Sequence, residues 1–361
     1  MPRYFKIVPF TVMLVMSASA GFAAVPAGSL RPVAVSRWQW TGIAVSPDHD
    51  IFVNYPRWSD RMEWSVARLN EQMEPEPYPD QDWNSWQMGE DDTEKKFVCV
   101  QSVYMDARGF LWILDTGNPF FKGVVPGGAK LIKIDPRRPL PDQIYSFGQG
   151  VLEKNSYLND VRIDVDHNFA YLTDSHAGGL VVLDLETGEA RRVLEDHPST
   201  HSEGVTIRIN GQPWLMDGEA PRVHADGIAY DRKSDLLYYQ ALTGETLYRI
   251  SAARLRNFSL SEEQLAGSVQ TVSEHFPVDG IIADWQGRIY LSDLEGKAIK
   301  RWSPERGIES ILSSSKIAWP DSFAWAPGFW LYFTTSRIHQ GDNPSQPYAI
   351  YRVQIYPQAQ Q

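Results

Sequence analysis

One pattern recurs six times along the chain: a small or polar start, an apolar alternation, a polar turn carrying Asp or Gly, then an aromatic-rich run. The copies are "TGIAVSPDHDIFVNYP" from Thr41, "QSVYMDARGFLWILDTG" from Gln101, "NDVRIDVDHNFAYLTDS" from Asn159, "ADGIAYDRKSDLLYYQA" from Ala225, "VDGIIADWQGRIYLSDL" from Val278 and "PDSFAWAPGFWLYFTTS" from Pro320. Between them lie runs such as "GGLVVLDLETGEARRVL" and "KAIKRWSPERGIESIL", so each unit offers about four short strands. One such sheet cannot bury both of its faces, but six stacked around an axis bury one another's. The repeat predicts an all-β fold: a six-bladed β-propeller with four-stranded antiparallel blades around a central channel.

The 361 residues leave room for two domains, but no linker divides the repeats, and residues 25–361 read as a single propeller domain. A hydrophobic share of 43% and thirteen Trp suit a large strand-rich core. The net charge of −11 argues against a nucleic-acid surface or an anionic membrane as partner, since both need clustered Lys and Arg. It leaves a small-molecule ligand or a cation as the expected partner, with the protein a monomer.

Residues 1–24 read as a secretory signal peptide: Arg3 and Lys6, then the apolar run Ile7 to Met16, then Ala18-Ser19-Ala20. Its removal takes the formal charge from −11 to −13, and the expected location is secreted or periplasmic. No later run is long enough to span a bilayer, so no membrane association is expected after cleavage. Cys99 is the single cysteine, which rules out an intramolecular disulfide; in "KKFVCVQSVYMD" it reads as a buried small apolar residue.

Helix is scarce. Ser251 to Val269 is the best helical segment, with Ser261 as N-cap and Glu262 and Glu263 in the first turn. The Pro-, acid- and Trp-rich stretch from Glu71 reads as a long loop, either a surface excursion or a cover for one mouth of the channel.

In a propeller the start of each blade's first strand and the end of its second share one rim. That brings Asn159 and Asp160 toward Asp174 and Ser175, and sets Asp160, Asp226, Asp279 and Asp321 around one mouth. Crowded carboxylates raise their pKa values or take up a cation, and Asp and Asn oxygens suit a divalent cation such as Ca²⁺. Asp160, Asp226 and Asp279 are the candidate metal ligands, Asp226 and His224 the candidate catalytic residues, and Asn159, Asp174, Ser175, Trp319 and Asp321 the candidate ligand-binding residues. An Asp before Gly is also an ordinary turn signal. His176 follows Ser175, while His201 and Glu203 fall on a connecting loop. Trp319, Tyr55 and Trp58 are candidate wall aromatics, with core packing as the alternative for each. No dinucleotide, Walker, G-x-S-x-G or H-E-x-x-H motif is present in a suitable context, so no nucleotide cofactor is expected.

The order of the motifs resembles the major royal jelly protein and Yellow family. The matching stretches are "GFLWILDTGNP" (Gly109 to Pro119), "AKLIKIDP" (Ala129 to Pro136), the long run from Ser156 to Thr200, "LLYYQALTGETLYRISAARLRN" (Leu236 to Asn257) and "WPDSFAW" (Trp319 to Trp325). The resemblance implies a secreted six-bladed propeller with a ligand-holding channel, in a family of dopachrome-converting, amine-binding and nutritive members. With Cys99 alone, the family's disulfides are missing. The "ADG" and "VDG" starts at Asp226 and Asp279 are similar to those of gluconolactonase-type propellers, whose divalent metal is held by Glu, Asn and Asp. The first-blade Glu of that group is replaced here by Thr41 and Gly42 in "WTGIAV".

Two functions follow as expectations. The first is metal-assisted hydrolysis of a sugar lactone or related ester at the acidic mouth. The second is binding of aromatic amines without chemistry, or a dopachrome-type tautomerase.

Overall fold

The computed structural model describes residues 29–341 and 343–355; the leader expected at residues 1–24 lies outside them. All six repeats open four-stranded antiparallel sheets. Blade one comprises Ile43–Val45, Ile51–Asn54, Val66–Leu69 and Pro75–Pro77; blade two Val100–Met105, Leu111–Asp115, Lys130–Asp135 and Arg138–Ser146. Blade three comprises Leu158–Asp164, Phe169–Asp174, Leu180–Asp184 and Ala190–Val193. Blade four comprises Ala225–Asp231, Leu236–Ala241, Thr246–Ser251 and Gln270–Glu274; blade five Val278–Ala283, Ile289–Asp293, Ala298–Ser303 and Gly307–Ser313.

Blade six is built from both ends of the chain. Pro320–Ala326, Trp330–Thr335 and Tyr348–Gln354 are completed by Arg31–Ser36, which pairs with the last of them from Arg31 opposite Arg352 to Ser36 opposite Tyr348.

The burial patterns follow from stacking. Second strands are covered on both faces by neighbouring blades, so "IFVN", "LWILD" and "IYLSD" are buried throughout. Outer strands face solvent along an edge, and "QTVSE" buries none of its residues fully. The core is a set of seams between blades, such as that formed by Leu114, Leu131, Val161, Leu172 and Val181 between blades two and three. Each such side chain contributes about 1.5–3 kcal/mol by leaving water.

Five first strands slip register at the same place, just after their first residue. Such a bulge leaves a residue out of the ladder and re-aims its side chain. Neighbouring strands also crowd here: a Cβ on Gly227 would stand 2.3 Å from the Asp279 carbonyl oxygen, and one on Gly280 would stand 2.0 Å from that of Asp321. The Asp-Gly pairs are therefore not turns but points of close approach between blades. Second-strand hydroxyls fasten the seams, with Thr173 Oγ1 donating to the Asp226 carbonyl at 2.7 Å and Thr334 Oγ1 to that of Thr41 at 2.6 Å.

The helical segment is two short helices, Ala252–Arg256 and Glu262–Ala266, separated at Asn257 to Ser261. Ser261 caps the second with a full capping box, its hydroxyl accepting from the Gln264 N–H. The stretch from Glu71 first supplies the outer strand of blade one and then packs down, burying Trp83, Trp86 and Phe97. Arg57 ties this segment in place by donating to the carbonyls of Val98 and Trp86. It is a packed strap rather than a loose excursion.

Candidate functional site

The bulges define a polar ring at one mouth of the channel. The equivalent register position is held by Thr41, Gln101, Asn159, Asp226, Asp279 and Asp321 in blades one to six. The ring is lopsided: blades one to three supply neutral groups, and blades four to six supply three aspartates in a row. Asp160, grouped with those aspartates in the sequence reading, sits one residue further in, where the other blades carry Gly42, Ser102, Gly227, Gly280 and Ser322.

Asn159 Nδ2 donates to Asp226 Oδ1 at 2.8 Å, and Trp319 Nε1 donates to Asp279 Oδ2 at 2.6 Å. The carboxyls of Asp226 and Asp279 lie within hydrogen-bonding reach of each other. Ser322 Oγ donates to Asp321 Oδ1 at 3.1 Å. Burial first, then the repulsion of neighbouring aspartates, pushes Asp226, Asp279 and Asp321 well above the usual carboxylate range.

Asp160 has a different fate. It accepts from Ser102 Oγ at 2.7 Å and pairs with Arg162 at 2.9 Å. The arginine reaches on across the channel to donate to the Ile281 carbonyl at 2.7 Å. Asp160 is therefore charge-balanced, whereas the arc of three acids has no cation beside it among these contacts.

Asp174 is not available to a ligand. It is fully buried and accepts from the backbone N–H groups of Tyr157, His176 and Ala177 and from Arg192 Nη1 at 2.9 Å. Asp115 plays the same part in blade two, binding the N–H groups of Val98, Cys99 and Gly117 and the buried Lys130. Asp293 repeats it in blade five with Gly296 and Lys300. These aspartates end second strands and hold turns. Ser175 is buried, its hydroxyl directed to the Tyr157 carbonyl at 3.4 Å.

His224 faces the ring of His201, 4.7 Å away between centroids, rather than the acid arc. Its Nδ1 accepts the Ser202 N–H at 3.0 Å, which places the proton of the neutral ring on Nε2. Burial, then the neighbouring His201, lowers its pKa to about 4. The imidazole thus presents an N–H donor rather than the base expected from sequence. Glu203 accepts the Glu245 N–H at 2.8 Å and holds a loop.

Trp319 is fully buried at a left-handed φ of 57°, a costly conformation for a bulky residue. With His339 stacked on it at 5.7 Å, it supports Asp279 from behind instead of forming an open wall. Tyr55 is core. Trp58 is half-buried and donates to the Tyr157 hydroxyl at 2.6 Å. Phe121 packs on Trp58, Tyr157 and His176 at 5.8, 5.0 and 5.5 Å between centroids. Of this aromatic corner the sequence singled out Trp58 and His176 but not Phe121 or Tyr157, nor Gln101, which accepts from the Tyr157 hydroxyl at 2.8 Å. Stricter alignment of the six starts would have found Thr41 and Gln101. Cys99 is buried, and burial pushes its thiol up to about 12.

A separate group lies at the other ends of these strands. Asp164, His167 and Asp235 bring one ligand atom each within 4.8 Å of one another and could hold a metal ion. Arg256 already bridges both carboxylates at 2.8 Å. Asp160, Asp226 and Asp279 do not form such a tight group, Asp160 being drawn toward Ser102 and Arg162, and neither do the three acids of the arc, Asp226, Asp279 and Asp321.

Known proteins bear on the architecture. Luciferin-regenerating enzyme superposes with a TM-score of 0.55 at 15% identity, over 90% of this chain and 94% of that one. A gluconolactonase from Xanthomonas campestris gives 0.54 at 10% identity, over 93% and 99%. Virginiamycin B lyase from Staphylococcus aureus gives 0.52 at 13% identity, over 90% and 99%. At such identities the likeness is one of fold. No curated protein sequence matches the chain. The family model for major royal jelly protein matches residues 98–313, more than half of the sequence and four of the blades in whole or large part. The chain belongs to the major royal jelly protein family.

Proposed function

We propose that this propeller binds a small molecule at the acidic mouth and hydrolyses it there, the substrate being a sugar lactone or a related neutral ester. The observation that carries the reading is the pair of buried carboxyls, Asp226 and Asp279, within hydrogen-bonding reach and raised well above the ordinary range. A carboxylate and a carboxylic acid side by side can accept a proton from water and return one to a departing alkoxide. Asn159 fixes Asp226, and Trp319 fixes Asp279.

A divalent cation fits the donor set, which is all oxygen, buried and short of positive charge. Asp226 and Asp279, with the amide oxygen of Asn159, would hold it, Ca²⁺ being the best match, and it would supply polarisation of the substrate carbonyl. The basic, apolar and small-residue stretch at 1–24 supports export to a secreted or periplasmic location.

The test is a pH-drop assay on glucono-δ-lactone with added Ca²⁺, with chelator, and with Asp226→Asn. Expected are turnover above the spontaneous rate, loss on chelation and a loss of at least about 100-fold in the variant. No turnover above the spontaneous rate would sink the hydrolase reading.

The aromatic corner of Trp58, Phe121, Tyr157 and His176 favours a second reading, an aromatic amine held by cation–π contact beside the acids. Calorimetric titration with dopamine would show saturable heat on that reading, and none if it is wrong.

A further inference from the structure

The far end of the channel, opposite the acid arc, holds a cavity of about 320 Å³ to which all six blades contribute. That volume is within the range of small-molecule sites. Its wall is largely apolar, with Ile43, Ile282, Phe323 and Trp325 among the lining, and its polar functions include Tyr104 and Arg162. Arg162 divides the cavity from the acidic mouth, since the same guanidinium holds Asp160 and spans to blade five.

Arg162 is only 5% exposed, and its Nε–H is buried without an acceptor among the described residues. The Tyr104 ring lies 5.2 Å from the guanidinium carbon, so the arginine is held in place from that side too. Outside the cavity, Trp285 is 46% and Phe329 41% exposed, and Trp285 packs on Trp325 at 5.3 Å. These rings extend the apolar wall outward as a collar.

We propose that this far mouth is a second binding site, for a neutral, largely apolar small molecule whose carbonyl or other hydrogen-bond acceptor meets the guanidinium of Arg162. The acceptor is neutral because Asp160 already balances the charge of the arginine, so an anion would bring an uncompensated charge into a buried place. The apolar body fills the cavity, and the collar accommodates an aromatic or alkyl extension. The site is independent of any chemistry at the acid arc.

The probe for the test is 6-propionyl-2-(dimethylamino)naphthalene, a neutral aromatic ketone whose emission shifts to the blue when it leaves water. The full chain should give a saturable, one-to-one blue shift. Ala107→Trp places a bulky ring on an exposed turn residue at the rim and should abolish the shift. Arg162→Lys keeps a cation opposite Asp160 but removes the planar guanidinium from the cavity wall, and should weaken binding about tenfold. Thermal unfolding of each variant, unchanged for Ala107→Trp, separates lost binding from lost folding. Absence of a saturable shift, or one that neither substitution alters, would overturn the proposal.

Discussion

Asn159 Nδ2 donates to Asp226 Oδ1 at 2.8 Å, joining the starts of blades three and four across their seam. On its other side Asp226 meets Asp279, so the carboxyl stands between a neutral amide and a second acid. The lopsided ring therefore has a titration of its own.

Asp226, Asp279 and Asp321 have pKa values raised in the fold, by burial first and by one another second. An acid with a raised folded pKa contributes stability that is complete below its unfolded value, near about 4, and lost as pH rises through the folded one. Metal-free protein should accordingly melt higher at about pH 5 than at about pH 7.5. Asp279→Asn should flatten that slope in thermal unfolding; an equal slope in the variant and the parent would refute the assignment.

Cation uptake should act in the opposite sense. Ca²⁺ at about a hundred times its dissociation constant would stabilise by about 2.7 kcal/mol, a rise of several degrees in Tm at neutral pH. The rise should be smaller at about pH 5, where protons compete for the same oxygens, and smaller again in Asp279→Asn. Calorimetry with chelator-treated protein measures both.

Lys130 and Asp115 are fully buried partners at 3.0 Å. Lys130→Met would leave a carboxylate deep in blade two with three backbone donors and no cation. A loss of about 3–5 kcal/mol is expected on denaturant unfolding, and a loss below about 1 kcal/mol would show that the three N–H groups suffice alone.

Gly280→Ala would set a methyl group 2.0 Å from the Asp321 carbonyl oxygen. The blades must part to admit it, at a cost of about 1–3 kcal/mol or more, and Asp279 and Asp321 would shift with them. Unfolding midpoints and lactone turnover should fall together. Gly148, whose added Cβ would meet nothing within 4 Å, is the control that should leave both unchanged.

The blades could be read from the sequence because apolar alternation, turn and aromatic run recur in register with the strand pairs. The register of the mouth could not. A bulge adds one residue without any mark in composition, so Asp160 passed for the counterpart of Asp226 when Asn159 holds that place. Asp174 looked like a mouth ligand because an acid at a rim is conspicuous. Its commitment to three backbone N–H groups and Arg192 depends on the turn after it and on a strand eighteen residues away. The tautomer of His224 is fixed by Ser202, on a loop that periodicity does not describe. Arg162 was passed over because a lone arginine in a strand gives no hint that it crosses a channel.

The pairing of Arg31–Ser36 with Tyr348–Gln354 sets a condition on how the molecule is made. Arg31–Ser36, the first strand among the described residues, has no lasting place until Tyr348–Gln354 has emerged, so the emerging chain carries an open sheet edge until then. The same latch then makes the finished protein one cooperative unit, in which no blade can leave without opening the circle.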